Sequence, residues 1–409
     1  MAAAPSYNVS MAEPWASSVS RRRFLEGVGG LALSSLAAPN ALARSLGTTT
    51  LPRPERSGLG HVVVVMMENR SFDHLLGWLP HADGRQAGLV YTDRDGVAHP
   101  TFALAPDYAG CAYHDPDHSR EGGLIQYNGG KCDGFLRSGA SDVFAIGYYR
   151  RKDLPFLGRA ASYWTVCDRY FSAIMAPTEP NRLYLHTGAT DRLANSWGPS
   201  ALPTIWDRLA ARRLRGAYYV GNFSVLSPHW GDKYDRITHP YSRFLADCRS
   251  GDLPHVAFVE PVFGGNDDHP RADIRAGESF LNEVYRAVTT SPAWHRTLLV
   301  ITFDEWGGFF DHVPPPPAPD VDPAHALRGF RVPCLLISPF ARRRYVAHGT
   351  YDHASILRLI EWRWRLEPLS VRDARAKNLA AALDFSSRDL RAPRYAVPRV
   401  APGSPCAES

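Results

Sequence analysis

Cysteine is scarce in this 409-residue chain: six residues, at 111, 132, 167, 248, 334 and 406, none of them in a C-x-x-C pair. That spacing excludes a zinc knuckle. Cys111 and Cys132 flank a single loop and are expected to form a disulfide. Long apolar runs are also missing. The mild stretch from Val28 to Ala38 is broken by Gly, Ala and Ser and is too short to span a bilayer. No stripe of Lys and Arg interleaved with aromatics occurs, so no nucleic-acid partner is expected. The net charge of +5 is partly local, in Arg21–Arg23 and in Arg342–Arg344, and the second run reads as a solvated face. No internal repeat is present.

The N-terminal segment has an address rather than a fold. Ser20-Arg21-Arg22-Arg23-Phe24-Leu25-Glu26 matches a twin-arginine signal, and Ala41-Leu42-Ala43 offers a cleavage site. Residues 1–43 are therefore expected to be a removed leader. The folded protein would pass through the twin-arginine translocation machinery and be secreted, periplasmic or wall-associated. Met1 and Met11 both remain open as the start. Residues 44–60 read as a linker around Leu51-Pro52-Arg53-Pro54, residues 61–388 as the main domain, and residues 389–409 as an irregular tail or strap.

Within the main domain, apolar strands alternate with helical stretches, which predicts an α/β fold with a central, mostly parallel sheet flanked by helices. Strands are expected over His61–Met66, Gly216–Val220, Val256–Val259, Leu298–Phe303 and Cys334–Ser338. Helices are expected over Thr204–Arg213, Glu278–Val288 and Ser355–Trp364. Leu89–Gly147, rich in Gly, Asp and Tyr, reads as long loops inserted in the sheet.

The chemistry is concentrated at strand ends. Val62–Val65 runs into Met67-Glu68-Asn69-Arg70-Ser71-Phe72-Asp73-His74, and Leu298–Phe303 runs into Asp304-Glu305-Trp306-Gly307-Gly308-Phe309-Phe310-Asp311-His312. Either end alone is more often a solvated strand terminus. Two buried strands that both end in oxygen ligands suggest one divalent metal between them, with Ca, Mg, Mn, Fe and Zn all open. Between them lies Ala176-Pro177-Thr178-Glu179-Pro180-Asn181-Arg182. Pro180 suits a first helical turn, so Thr178 is expected just before a helix N-terminus, where phosphate binds well. A hydroxyl there is usually a cap, and becomes a nucleophile when a metal lowers its pKa.

Taken in order, M-E-N-R-S-F-D-H, D-P-D-H, N-G-G-K-C-D-G-F, A-P-T-E-P-N-R, D-D-H-P, F-D-E-W-G-G-F-F-D-H-V-P-P-P and Y-D-H-A-S-I-L-R-L-I-E resemble the bacterial and plant non-specific phospholipase C and acid phosphatase family, related to the alkaline phosphatase superfamily. The resemblance spans His61 to Trp364. It implies an alkaline-phosphatase-like α/β/α sandwich. It also implies that Glu68, Asn69, Thr178, Asp304 and Glu305 hold the metal, that Thr178 is the nucleophile, and that His118, His269 and His353 line the phosphate pocket. Asp73, His74, Asp311 and His312 are read as structural bracing. A histidine frequent in the family after the paired acids is Trp306 here, and another before N-G-G-K is absent, where Leu124 and Ile125 stand.

The activity implied is phospholipase C action, releasing diacylglycerol and a phosphorylated headgroup through a phosphothreonine intermediate. Transient contact with a membrane surface goes with it. Acid phosphatase action on small phosphomonoesters is the alternative, and a non-catalytic exported lipid- or metal-binding protein is a third. The absence of a C-x-P-x-R segment argues against a sulfatase. Most of the dense aromatics read as core; Trp306 and Phe309, beside the expected ligands, are the two rings placed where a cation–π contact with a quaternary ammonium headgroup is the alternative.

Overall fold

Runs of Val and Ile favour extended backbone and, when apolar at every position, must be covered on both faces. In the computed structural model, which describes residues 51–403 and Cys406, they build the centre of the molecule. The leader, both candidate starts and the first part of the linker lie outside the described residues.

The central sheet has eight strands: β1 (His61–Met67), β2 (Thr165–Cys167), β3 (Gly216–Val220), β4 (Thr238–Pro240), β5 (Val256–Val259), β6 (Thr297–Phe303), β7 (Cys334–Ile337) and β8 (Tyr345–Ala347). Their order is β8-β2-β7-β6-β1-β5-β3-β4. All residues of β1 and β6 are buried. β7 runs antiparallel to β6 and β2, and every other pairing is parallel. The expected mostly parallel sheet is therefore present. The parallel set β3, β5, β1 and β6 opens its carboxyl ends along one edge, where α/β sheets place ligands.

The helices used below are α1 (Arg120–Tyr127), α2 (Thr178–Thr187), α3 (Ile205–Ala211), α4 (Ile274–Thr289) and α5 (His353–Trp364). Caps explain where their ends depart from the predicted ones. Thr204 stays outside α3 as its N-cap, in a box with Asp207. α4 starts earlier than predicted because the Asp273 carboxylate accepts from Arg275 N at 2.9 Å. The buried Ile274, Leu281, Tyr285 and Val288 of α4 recur at helical spacing, a single apolar stripe laid on the core.

The expected Cys111–Cys132 disulfide is corrected. Cys111 bonds Cys406 instead, with the Cα atoms 5.2 Å apart. Cys132 is turned into an apolar cluster with Tyr91 and Phe135, and burial pushes its thiol up to about 12. Past residue 388 the described chain holds no helix or strand. It lies as a strap over the domain: Trp294 Nε1 donates to Leu390 O at 2.9 Å and the Tyr285 hydroxyl to Pro393 O at 2.7 Å.

Candidate active site

Register decides which acids meet. Met67 lies opposite Phe303 in the β1–β6 pair, so Glu68-Asn69 and Asp304-Glu305 emerge side by side. Asp304 N donates to Met67 O at 3.0 Å, and Asn69 N to Asp304 Oδ1 at 3.0 Å. Asn69 is left-handed, with φ 57°, a region Asn enters more readily than most residues. Gly307 packs against it, and a Cβ there would come within 2.1 Å of Asn69 O. The glycine is required for that close approach.

Thr178 sits one position deeper than expected. It is the first residue of α2, and Pro177 is the N-cap, with no side-chain cap bond. Asn181 shapes this turn from within: its Oδ1 accepts from Ile174 N at 3.0 Å and its Nδ2 donates to Ala176 O at 2.7 Å. Thr178 Oγ1 is thereby aimed at the β1 terminus, 3.2 Å from Glu68 Oε2 and 3.3 Å from Asn69 Oδ1.

Arg182, on the same face of α2, is fully buried. Its Nε donates to Glu68 Oε1 at 2.9 Å and its Nη1 to Glu260 Oε2 at 2.6 Å, while Asp304 Oδ2 lies 3.5 Å from Nε. Sequence reading missed Arg182 and Glu260. Both carried a signal: Arg182 closes the A-P-T-E-P-N-R motif at i+4 from Thr178, and Glu260 directly follows the β5 run.

One guanidinium thus faces Glu68, Glu260 and Asp304, with Glu305 alongside. Burial first, then the Glu68 charge, raises the Asp304 carboxyl well above its usual range. Burial and then Asp304 do the same to Glu305. Asp304 Oδ2 and Glu305 Oε1 are buried and make no hydrogen bond. Asp304 Oδ2 has only the Arg182 guanidinium at 3.5 Å, and buried carboxylate oxygens without hydrogen bonds are costly unless cations offset them. Glu68 Oε2 and Asn69 Oδ1 meet at Thr178 Oγ1, whereas Glu68, Asp304 and Glu305 do not bring three carboxylate oxygens within 4.8 Å of one another; as residue types, these hard oxygen donors suit a hard divalent ion.

His118 and His269 border this set from the open side, with ring centroids 5.9 Å apart. His118 Nε2 is 3.2 Å from Asn69 Nδ2. Asp115, not singled out from sequence although it opens the D-P-D-H motif, lies 3.9 Å from His118 Nδ1 and 3.8 Å from His269 Nε2. The loop carrying His269 is pinned to β1. Asp267 O accepts from Glu68 N at 2.7 Å, and the Asp267 carboxylate accepts from Gly264 N at 2.6 Å and His269 N at 3.2 Å. Asp268 and Arg271 on either side of His269 are left-handed, with φ 75° and 76°.

His353 is placed differently. It is fully buried at the start of α5, its Nε2 2.6 Å from Asp304 O and its Nδ1 3.1 Å from the Tyr170 hydroxyl. Burial pushes its pKa down to about 4. Both ring nitrogens are engaged inside the protein, so the ring orients the strand end that bears Asp304 rather than opening onto the site with His118 and His269.

Two groups among the described residues bring three ligand atoms within 4.8 Å of one another: Asp115, His118 and His269, and Asp73, Asp311 and His312. A cation already occupies the second. Arg331 Nε donates to Asp311 Oδ1 at 2.9 Å and Nη2 to Asp73 Oδ1 at 3.1 Å. The alternative headgroup contacts are not available. Trp306 is fully buried and donates to Gln126 Oε1 at 2.7 Å. Phe309 is also buried, its ring 3.9 Å from that of His74 and 4.6 Å from the Arg70 guanidinium carbon. Trp306 and Phe309 pack into two separate buried clusters.

Residues 59–367 match the Phosphoesterase family. The chain belongs to that family. The resemblance read from the ordered motifs is borne out, and the protein is a hydrolase of phosphoric ester bonds. Phospholipase C B of Mycobacterium tuberculosis is 29% identical over 438 residues, covering 87% of this chain and 83% of its own length. Non-specific phospholipase C1 of Arabidopsis thaliana is 31% identical over 367 residues, covering 76% and 68%. A protein in the alkaline phosphatase superfamily from Vibrio parahaemolyticus overlaps 79% of this chain and 70% of its own, at 10% identity and a TM-score of 0.41.

Proposed function

We propose that this phosphoesterase is an exported, metal-dependent phospholipase C that cleaves glycerophospholipids such as phosphatidylcholine through a phosphothreonine intermediate. The observation that carries the reading is the aim of Thr178 Oγ1, at the first residue of α2, onto Glu68 and Asn69. The relatives named phospholipase C support the choice of substrate.

Glu68, Asn69, Thr178, Asp304 and Glu305 would hold one divalent ion. When bound, it would supply charge neutralisation at the phosphoryl oxygens and lower the pKa of the Thr178 hydroxyl. The remaining work falls to the chain. Thr178 Oγ1 attacks phosphorus, and its proton leaves along the hydrogen bond to Glu68. The bond from phosphorus to the diacylglycerol oxygen breaks, and that oxygen takes a proton from His269. Water then attacks the phosphothreonine while His269 takes its proton. The bond to Thr178 breaks, Thr178 recovers its hydrogen, and phosphocholine leaves. Asp115, 3.8 Å from His269 Nε2, faces the ring that carries this proton. His118 positions Asn69, and His353 positions Asp304.

The test is product analysis on phosphatidylcholine with the wild type and Thr178→Ala. Diacylglycerol and phosphocholine from the wild type alone are expected. Phosphate released from a small monoester, with no lipid cleavage, would move the assignment to acid phosphatase at the same site.

A further inference from the structure

Trp197 and Phe223 are large apolar side chains left in solvent, 62% and 38% exposed. Their rings meet edge to face at 5.1 Å, and Phe223 meets Phe263 at 6.1 Å. The Phe263 ring lies 4.9 Å from the guanidinium carbon of Arg182. A continuous line of ring contacts therefore runs from the cation that holds Glu68 out to an indole in water.

Both ends of this line are fastened to the site. Glu179, next to Thr178, holds the Trp197 loop: its N–H donates to Asn195 Oδ1 at 2.9 Å, and its carboxylate accepts from Ser196 N. The same carboxylate lies 2.7 Å from His229 Nε2, and Trp197 stacks on the His229 ring at 6.1 Å. On the other side, Asn222 Nδ2 donates to Phe263 O at 3.1 Å and Asn222 Oδ1 accepts from Phe263 N at 2.9 Å. Gly264, which follows, is held by the Asp267 carboxylate that also holds His269. The aromatic ridge is thus tied by hydrogen bonds to Glu179, next to Thr178, and to the loop that carries His269.

Tryptophan with an apolar body and a polar N–H is suited to the boundary between water and acyl chains. Among the described residues no helix is long and apolar enough to cross a membrane, so a lipid contact from these residues is peripheral. We infer that Trp197 and Phe223 form a ledge that dips into the surface of a phosphatidylcholine layer and sets Thr178 at the depth of the phosphodiester. This inference rests on the phospholipase reading.

Its test uses the full chain and phosphatidylcholine vesicles. In a Thr178→Ala background, co-sedimentation with vesicles is expected to fall at least about tenfold on adding Trp197→Ala and Phe223→Ala. Trp197→Phe should keep most of it. In the active chain, the rate on vesicles divided by the rate on water-soluble p-nitrophenyl phosphorylcholine should fall by a similar factor. Unchanged vesicle binding, or an unchanged ratio, overturns the ledge. So does a self-association, seen by sedimentation velocity, that the double substitution abolishes while vesicle binding persists. If the wild type cleaves no lipid yet the double substitution still strips it from vesicles, the ledge stands and the phospholipase reading alone fails.

Discussion

Glu68 is shared between Arg182 and Thr178: Oε1 accepts from Arg182 Nε at 2.9 Å, and Oε2 accepts from Thr178 Oγ1 at 3.2 Å. One carboxylate therefore couples the buried cation of α2 to the hydroxyl at its start. Arg182→Met removes the cation and leaves Glu68 and Glu260 buried without it. Breaking a buried pair in this way costs about 3–5 kcal/mol. A urea titration is expected to show that loss, and a midpoint equal to wild type would mean the acids do not depend on Arg182.

Thr178→Ala removes the hydroxyl and little else. Turnover is expected to fall at least about a thousandfold, with stability changed by no more than about 1 kcal/mol. Thr178→Ser, which keeps an oxygen, should retain part of the rate. Activity of the alanine variant within tenfold of wild type rules out a phosphothreonine.

Divalent metal is expected to raise the thermal midpoint, and a chelator to lower it, because an ion that binds only the folded state stabilises it by mass action. Glu305→Gln and Asp304→Asn should blunt that response and reduce the metal found by elemental analysis. An equal metal response in both variants would place the ion elsewhere.

Acid stability should depend on His186. Its ring lies among Phe258, Tyr218 and Trp206, at 5.2, 5.8 and 5.9 Å. Burial first, then Arg182, lowers its pKa to about 3 from the usual 6.5. Above 6.5 the ring is neutral in both folded and unfolded chains, and nothing is lost. As pH falls from 6.5 towards 3 the unfolded chain takes up a proton that the folded one refuses, so stability declines. His186→Phe should flatten this part of the curve. Parallel curves for variant and wild type would exclude His186 as a source.

Reduction of Cys111–Cys406, or Cys406→Ser, should cost about 2–5 kcal/mol, towards the upper end because the bridge closes a sequence separation of 295 residues. Thermal unfolding with and without reductant measures it. No shift would mean that the strap holds by its other contacts.

The parts of this protein that sequence revealed are those dictated locally. β1 and β6 were legible because unbroken β-branched and apolar runs have few other destinations, and their acids were legible because strand ends face the ligand edge. Thr178 was misplaced by one residue because Pro180 fixes a first turn without saying which of its positions it fills. The rest depends on contacts far apart in sequence. Cys111 lies near Cys132 in the chain, yet packing puts it against Cys406. His353 reads like His118 and His269, and only its bonds to Asp304 O and Tyr170 separate them. Trp306 and Phe309 adjoin the acids in sequence, but their rings pack into two separate buried clusters.

Asn69, Asp268 and Arg271 hold left-handed backbone beside the candidate nucleophile and around His269. Glycine adopts such angles without strain, whereas other residues are held there by their surroundings. Laboratory evolution should therefore pull these positions two ways. A library challenged only by heat would be expected to accept glycine at 268 and 271, while one challenged by growth on substrate would discard it, because a relaxed loop no longer delivers His269 to the same point.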